Sequence, residues 1–261
     1  MSKFAQIVLG PAGSGKSTYC QIMQNHLRTM KRNCHVFNMD PAAEYLPYEP
    51  SVDIRNMIDI NDVIEADDVD FGPNGGLVFC LEYLHNNLTL LDDLLGDYPE
   101  DYLLIDCPGQ IEVFTHLPFM RKIVEHLQRA GYNMVSIYLM DIHFVDSRKK
   151  LVAGMLACLS TMIQVELPHL AILSKCDLND DYEEYLEVIP GHLQDELDKE
   201  APQHKEFNVA MIDLLEEFGG VDFLPLSLTD ENMMMHLLTR IDLMTGYDQL
   251  AEMAEPNDMV F

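Results

Sequence analysis

Residues 10–18, with the sequence GPAGSGKST, have the composition and spacing of a polyphosphate-binding loop. Glycine at positions 13 and 15 lets the backbone adopt conformations closed to other residues, so that successive N–H groups can surround an anion. The lysine side chain can reach the β- and γ-phosphates, and the following serine hydroxyl can ligate Mg2+. The alternative is a glycine-rich turn that binds nothing. The residues predicted to bind nucleotide here are Gly13, Ser14, Gly15, Lys16, Ser17 and Thr18.

Two acidic residues each follow an apolar run that is typical of a buried strand. Asp40 ends the run at 34–39, and Asp106 ends the run at 102–105. The carboxyl ends of strands carry the sites of open α/β sheets. Asp106 is therefore predicted to hold Mg2+, mostly through water, beside Ser17. Asp40 is predicted to hold metal-bound water or to orient the attacking water, and its alternative is a turn or helix-capping role before a proline.

The residues that follow Asp106 fit the same chemistry. The N–H of Gly109 can sense a γ-phosphate, and the carboxamide of Gln110 can orient water. This motif is common alone, but its pairing with a phosphate loop at this distance is specific.

The segment Ser174-Lys175-Cys176-Asp177 follows another apolar run and suggests guanine recognition. The Asp177 carboxylate can accept from the base N1–H and N2–H, and the stem of Lys175 can pack over the ring. Asn or Thr usually stands where Ser174 stands, and this departure weakens the prediction while keeping a hydroxyl. The alternative is an ordinary polar loop between a strand and a helix.

The apolar patterns that must position these residues alternate between strand and helix along the whole chain. They predict an α/β fold of the P-loop NTPase type, with a doubly wound, mostly parallel sheet and helical insertions. We expect one domain over residues 1–261, with an exposed loop insertion near 68–78, an acidic helical insertion near 179–220 and a loose tail at 252–261. The predicted strands are 7–9, 34–39, 102–105, 134–140, 169–173 and 221–226, and the predicted helices are 19–30, 51–67, 77–95, 150–165 and 233–244.

Composition excludes several classes of function. The formal net charge is −28, from 16 basic and 44 acidic residues, which disfavours direct binding to nucleic acids or anionic membranes. The six cysteines form no Cys-x-x-Cys pair, so we expect neither a zinc site nor a disulfide framework. No signal peptide or membrane span is evident, and we expect a cytoplasmic protein.

These motifs, in this order, resemble those of the GPN-loop GTPase family. The resemblance rests on the phosphate loop, Asp40-Pro41-Ala42, Gly72-Pro73-Asn74, residues 106–110 and residues 174–177. Residues 19–20, 71–80 and 115–118 are most similar to the third eukaryotic paralogue of that family.

The resemblance implies GTP and GDP as ligands, Mg2+-dependent hydrolysis, and a nucleotide face that forms a dimer. A heterodimer with the first paralogue is expected, and a homodimer is the other arrangement. For eukaryotic members it implies assembly of RNA polymerase II, contact with its subunits, and shuttling to the nucleus. Gly72, Pro73 and Asn74 are then expected to complete the catalytic site across the dimer. The alternatives are a subunit that holds nucleotide without turnover, and an ATPase or small-molecule kinase on the same fold.

Overall fold

A computed structural model of the chain contains one seven-stranded sheet in which every neighbouring pair is parallel. It describes residues 3–65, 72–96, 102–179, 181–186, 190–200, 202–218 and 221–247. The strands are β1 (Lys3–Leu9), β2 (Cys34–Asn38), β3 (Val52–Asp53), β4 (Tyr102–Asp106), β5 (Tyr132–Asp141), β6 (His169–Ser174) and β7 (Phe223–Leu226). Their order across the sheet is β3-β2-β4-β1-β5-β6-β7.

Helices cover both faces of the sheet, as predicted for a doubly wound fold. They are α1 (Lys16–Thr29), α2 (Ile60–Ile64), α3 (Pro73–Asn86), α4 (Leu88–Leu95), α5 (Ile111–Thr115), α6 (Phe119–Arg129), α7 (Arg148–Val165), α8 (Pro190–Glu200), α9 (Lys205–Glu217) and α10 (Glu231–Thr245). Buried side chains of α1 and α10 belong to the core cluster on one face of the sheet, and those of α3 and α6 to α9 belong to the core cluster on the other. None of these described helices is long and apolar enough to cross a membrane.

The central strand β1 shows why the sequence forms a sheet that is buried on both sides. Phe4 and Val8 face α1 and α10, whereas Ile7 faces the opposite layer. The polar Gln6 is also fully buried. Its carboxamide is satisfied because it accepts from the Tyr19 hydroxyl at 2.6 Å and donates to the Tyr102 hydroxyl at 2.7 Å. A buried polar group with one partner on α1 and another on β4 fixes both elements relative to β1.

The single helix predicted at 51–67 is wrong for the described part of that segment. Val52 and Asp53 form β3, which pairs with the end of β2, and a 3-10 turn and the short α2 follow. Asn38 donates to the Asp53 carboxylate at 2.9 Å, and Arg55 donates to the same carboxylate. These tertiary partners outweigh a partial helical spacing of apolar residues.

Part of the exposed loop predicted near 68–78 is instead the beginning of a helix. Gly72 is the N-cap of α3, and Pro73 is its first residue. Proline suits that position because its fixed φ is helical and its missing N–H would have no partner there. The helix predicted at 77–95 is interrupted at Asn87, whose carboxamide donates to the Tyr83 carbonyl at 2.8 Å, so that α3 and α4 are separate.

The predicted acidic insertion at 179–220 contains α8 and α9, and the first of these begins at Pro190. Both helices pack on α7 and bury apolar residues in the core cluster that they share with it, namely Leu193, Leu197, Ile212 and Leu215. The insertion is therefore acidic on its exposed side but is part of the core on the other. The predicted loose tail at 252–261, and residues 68–71 of the predicted loop insertion, lie outside the described residues.

Candidate functional site

The phosphate loop joins the end of β1 to the beginning of α1, as the sequence predicts. Gly13 and Gly15 both have left-handed φ values, of 80° and 94°, and Gly15 is the N-cap of α1. A residue with a side chain would be strained at either position. The amino end of the 14-residue helix α1 therefore opens on the loop, where its dipole favours an anion.

Lys16 is buried beneath this loop. Its ammonium donates to the Gly10 carbonyl at 3.0 Å and to the Pro11 carbonyl at 3.1 Å. Burial lowers the pKa of Lys16, while the nearby carboxylates of Asp106 and Asp40 act in the opposite direction. The sequence-predicted lysine and both acids are thus brought together in one electrostatic cluster.

Asp106 lies at the carboxyl end of β4 and is almost completely buried. One carboxylate oxygen accepts from the Tyr48 hydroxyl at 2.6 Å, and the Ser17 hydroxyl lies near the same carboxylate. Burial raises the pKa of Asp106, and these two hydroxyls and Lys16 oppose that shift. The other oxygen, Oδ1, is buried and has no hydrogen-bond partner in the part of the chain that the structure describes.

This arrangement fits a divalent cation. A buried carboxylate oxygen without a donor beside a serine hydroxyl is the hard-oxygen environment that Mg2+ prefers, and phosphates and water would supply the remaining ligands. The described residues contain no cluster of three or more His, Cys, Asp or Glu that could hold a metal alone. A nucleotide-borne cation needs no such cluster.

Asp40 lies just beyond β2, where its own backbone fixes its direction. Its carboxylate accepts from the Ala42 N–H at 2.9 Å, and its N–H donates to Asn38. Burial raises the pKa of Asp40, although the Ala42 N–H and Lys16 oppose the shift. Asp40 therefore forms the predicted turn through its bond to the Ala42 N–H, and it also lies close to Lys16.

The loop after Asp106 passes directly against the phosphate loop. A Cβ on Gly109 would lie 2.8 Å from the Cα of Ala12, so only glycine permits this approach. Gln110 is the N-cap residue of α5, and its Oε1 is buried without a partner among the described residues. A buried carboxamide oxygen in that state is available to accept a hydrogen bond from a bound molecule.

The residues at the end of β6 contact the phosphate loop from the other side. The Ser174 hydroxyl donates to the Ser14 carbonyl at 2.8 Å and is 3.2 Å from the Met140 carbonyl. Lys175 donates to the Gly13 carbonyl at 2.8 Å and forms an ion pair with Asp141 at 2.5 Å. Burial alone would raise the pKa of Asp141, but its bonds to Lys175 and His143 outweigh burial and lower it.

A cavity of about 230 Å3 lies between these two loops. Asp177 is exposed at its edge, and Leu139, Leu226 and Leu228 supply apolar walls. The cavity also reaches Gly15 at the amino end of α1. Its position next to the phosphate loop and its apolar walls suit a flat, partly apolar base with an acceptor at its polar edge.

The glycine-proline-asparagine segment does not join this cluster within one chain. Gly72 and Asn74 are exposed at the amino end of α3, which packs on α2 and α6. Among the residues that the structure describes, no hydrogen bond connects Asn74 with the phosphate loop.

Sequence reasoning missed two residues that the structure places in the site. Tyr48 contacts Asp106 although the two are 58 positions apart, and no local pattern marks a tyrosine as a partner of a distant carboxylate. Asp141 pairs with Lys175 from the end of β5. The latter was detectable, because Asp141 ends an apolar run just as Asp40 and Asp106 do.

The chain resembles known proteins over nearly its whole length. A family model described as a conserved hypothetical ATP-binding protein matches residues 8–247. A Dictyostelium discoideum protein named GPN-loop GTPase 3 is 44% identical, over 98% of this chain and 92% of its own. A Danio rerio protein of the same name is 40% identical, over 99% and 93%.

The fold is shared with the apo form of a GTPase from Pyrococcus abyssi, with a TM-score of 0.74 over 92% of this chain and 97% of that one. At 24% identity this likeness concerns the fold alone. The resemblance read from the motifs is confirmed by the full-length relatives, including its assignment to the third paralogue. The chain therefore belongs to the GPN-loop GTPase family.

Proposed function

We propose that this chain binds GTP and hydrolyses it to GDP and phosphate with the help of Mg2+. The observation that carries the proposal is the continuous cavity that runs from the phosphate loop to Asp177. The proposal is supported because one cavity is lined both by Gly15, at the amino end of α1, and by Asp177, whose carboxylate can accept from a purine edge. The names of the relatives support GTP as the nucleotide.

The residues divide the work of phosphoryl transfer as follows. Lys16 and the amino end of α1 hold the phosphates and oppose the charge that develops on them. Ser17 and Asp106 would hold Mg2+, which supplies a divalent charge at the phosphate oxygens. Asp40 and Gln110 orient a water whose oxygen bonds to the γ-phosphorus as the bond to the β,γ-bridging oxygen breaks.

Asn74 acts, in this proposal, on the site of a second subunit. It is exposed and lies outside the cluster formed by its own chain, yet a rigid Gly-Pro-Asn at a helix terminus can present a carboxamide and free N–H groups. A partner docked on the nucleotide face would receive it next to the γ-phosphate. Pairing with another GPN-loop GTPase, the first paralogue foremost, rests on the family resemblance.

The same resemblance supports a finer role, which we include in the proposal. The GTP cycle would switch a protein assembly, and the client would be RNA polymerase II on its way from the cytoplasm to the nucleus. The acidic surface, with a net charge of −28, is compatible with protein clients and unfavourable for direct contact with nucleic acid.

The test is nucleotide binding and phosphate release by the purified chain, alone and mixed with its paralogue. GTP should compete with labelled GDP far better than ATP does, and phosphate release should require Mg2+. Equal competition by ATP and GTP would contradict the assignment of residues 174–177 to the base. If phosphate is released only by the mixture, Lys16→Ala in this chain and the equivalent change in the partner, made one at a time, would show which pocket hydrolyses GTP. If phosphate release is lost only when the partner's lysine is changed, this chain is the subunit that holds nucleotide without turnover.

A further inference from the structure

Tyr48 is buried together with Asp106, and the two are joined by a short hydrogen bond. Their exposed fractions are 8% and 2%, and the Tyr48 hydroxyl donates to Asp106 Oδ2 at 2.6 Å. The Ser17 hydroxyl lies near the same carboxylate, and Oδ1 has no hydrogen-bond partner among the described residues. The Tyr48 hydroxyl therefore holds one oxygen of a carboxylate whose other oxygen has no donor among the described residues.

The tyrosine belongs to the segment that also carries Asp40. That segment leaves β2 and is anchored to its surroundings at both ends. Near its beginning Arg55 donates to the Ala43 carbonyl at 2.7 Å, and next to Tyr48 the Gln21 carboxamide donates to the Pro47 carbonyl at 2.6 Å. One stretch of backbone thus delivers both a carboxylate and a hydroxyl to the cluster around Lys16.

Packing alone does not account for the hydroxyl. The ring of Tyr48 lies in the apolar cluster formed with α1 and the sheet, which phenylalanine would fill equally well. A hydroxyl at this depth is unfavourable unless it has an acceptor, and its acceptor is the one carboxylate predicted to hold the cation.

We propose that Tyr48 is a positioning residue for Asp106: its hydroxyl holds the carboxylate in the orientation that a nucleotide-bound divalent cation requires, and it couples that cation to the segment of Asp40. This inference rests on the proposed function. Without the hydroxyl, the carboxylate is free to rotate toward other donors, including Lys16, and its contribution to the cation falls.

The test compares Tyr48→Phe with the wild-type chain in the binding of a fluorescent GDP analogue, in Mg2+ and in EDTA. A hydrogen bond to a charged group is worth about ten-fold or more in an equilibrium constant. We expect the gain in affinity on adding Mg2+ to shrink by about that factor, with the affinity in EDTA unchanged. Tyr45→Phe is the matched control, because Tyr45 is in the same segment and 80% exposed.

A second readout follows the hydroxyl itself. In protein labelled with 3-fluorotyrosine, the 19F resonance that is absent from Tyr48→Phe should shift when Mg2+ is added to the GDP complex. Gln21→Ala, which releases the Pro47 carbonyl without touching Asp106, should reduce the Mg2+ gain in the same direction.

The outcomes separate this inference from the function on which it rests. If Tyr48→Phe keeps the full Mg2+ gain while the wild type shows it, the positioning role is wrong and the proposed function stands. Equal losses in Mg2+ and in EDTA would also overturn the inference, because they indicate a merely structural tyrosine. A wild-type chain that shows no Mg2+ gain overturns both.

Discussion

Ser174→Ala should weaken the phosphate loop without changing the choice of base. The Ser174 side chain is 3% exposed, and its hydroxyl donates to the Ser14 carbonyl at 2.8 Å. Removing the hydroxyl leaves a buried carbonyl of the loop without that donor, which costs about 1–3 kcal/mol of unfolding free energy. The same change disturbs the backbone conformation of the phosphate loop, which forms the anion site. GTP and ATP should therefore both bind more weakly, and by the same factor.

The assay pairs urea unfolding with competition binding. Unfolding followed by circular dichroism gives the loss of stability, and displacement of a fluorescent GDP analogue gives the ratio of GTP to ATP affinity. Ser174→Thr is the control, because it keeps a hydroxyl at the same position. Asp177→Ala is the contrast, because it should lower the ratio of affinities while leaving the Ser14 carbonyl bonded.

One result would refute this reasoning. If Ser174→Ala changes the ratio of GTP to ATP affinity as strongly as Asp177→Ala does, the hydroxyl reads the base and does not act through the loop. The position would then keep the role that Asn or Thr is expected to have in the motif.

Further predictions concern the phosphates, the base, the dimer and the fold. Lys16→Ala should weaken GTP binding by roughly 1.5–3 kcal/mol through loss of a charge-assisted contact, and undiminished Mg2+-dependent binding would contradict the site. Asp177→Asn should weaken GTP binding and admit xanthosine triphosphate, because its carboxamide donates to the altered base edge; competition binding measures both. In a mixed dimer, Asn74→Ala should slow phosphate release from the partner's pocket and leave the nucleotide affinity of the subunit that carries the change unaffected. If phosphate release is slowed only in the subunit that carries the change, Asn74 acts on the site of its own chain. Burial lowers the pKa of His169 from 6.5 to about 4, so the unfolded chain takes up this proton at a higher pH than the folded chain does. The free energy of unfolding is therefore unaffected by this histidine above pH 6.5 and decreases as the pH falls from 6.5 to 4. That loss amounts to about 3 kcal/mol, and urea unfolding of His169→Gln should lack this part of the pH dependence, whereas an unchanged dependence would refute it.

The sequence predicted best where function and local pattern coincide. Apolar runs located β1, β2, β4 and β6, and the polar residues that follow these runs located the phosphate loop, Asp40, Asp106 and Ser174. The fully buried strands of a parallel sheet read as continuous apolar runs, and this signal survives without tertiary information.

The errors have a common physical origin in contacts between distant residues. The strand β3 has only two residues, and it forms because Val52 and Asp53 pair with the end of β2. The partner of Asp106 is a tyrosine from another loop. The Gly-Pro-Asn segment was misjudged for a different reason. It was predicted as an exposed loop because two glycines follow Pro-Asn, whereas the first turn of a helix is where proline is best tolerated.

The contacts of the phosphate loop show how phosphate binding and base recognition are separated in this site. Its carbonyl groups are already engaged: those of Gly10 and Pro11 by Lys16, that of Gly13 by Lys175, and that of Ser14 by the Ser174 hydroxyl. Because these carbonyl groups are bonded to side chains outside the loop, the backbone N–H groups are left to face an anion. The same bonds keep the loop ordered before an anion binds, which reduces the conformational entropy lost on binding. Ser174 and Lys175 belong to the motif expected to read guanine, but the Ser174 hydroxyl and the Lys175 ammonium donate hydrogen bonds to this loop. We therefore expect Asp177 to be the polar group of this motif that reads the base edge, and a change at Ser174 to act first on the affinity for every nucleotide.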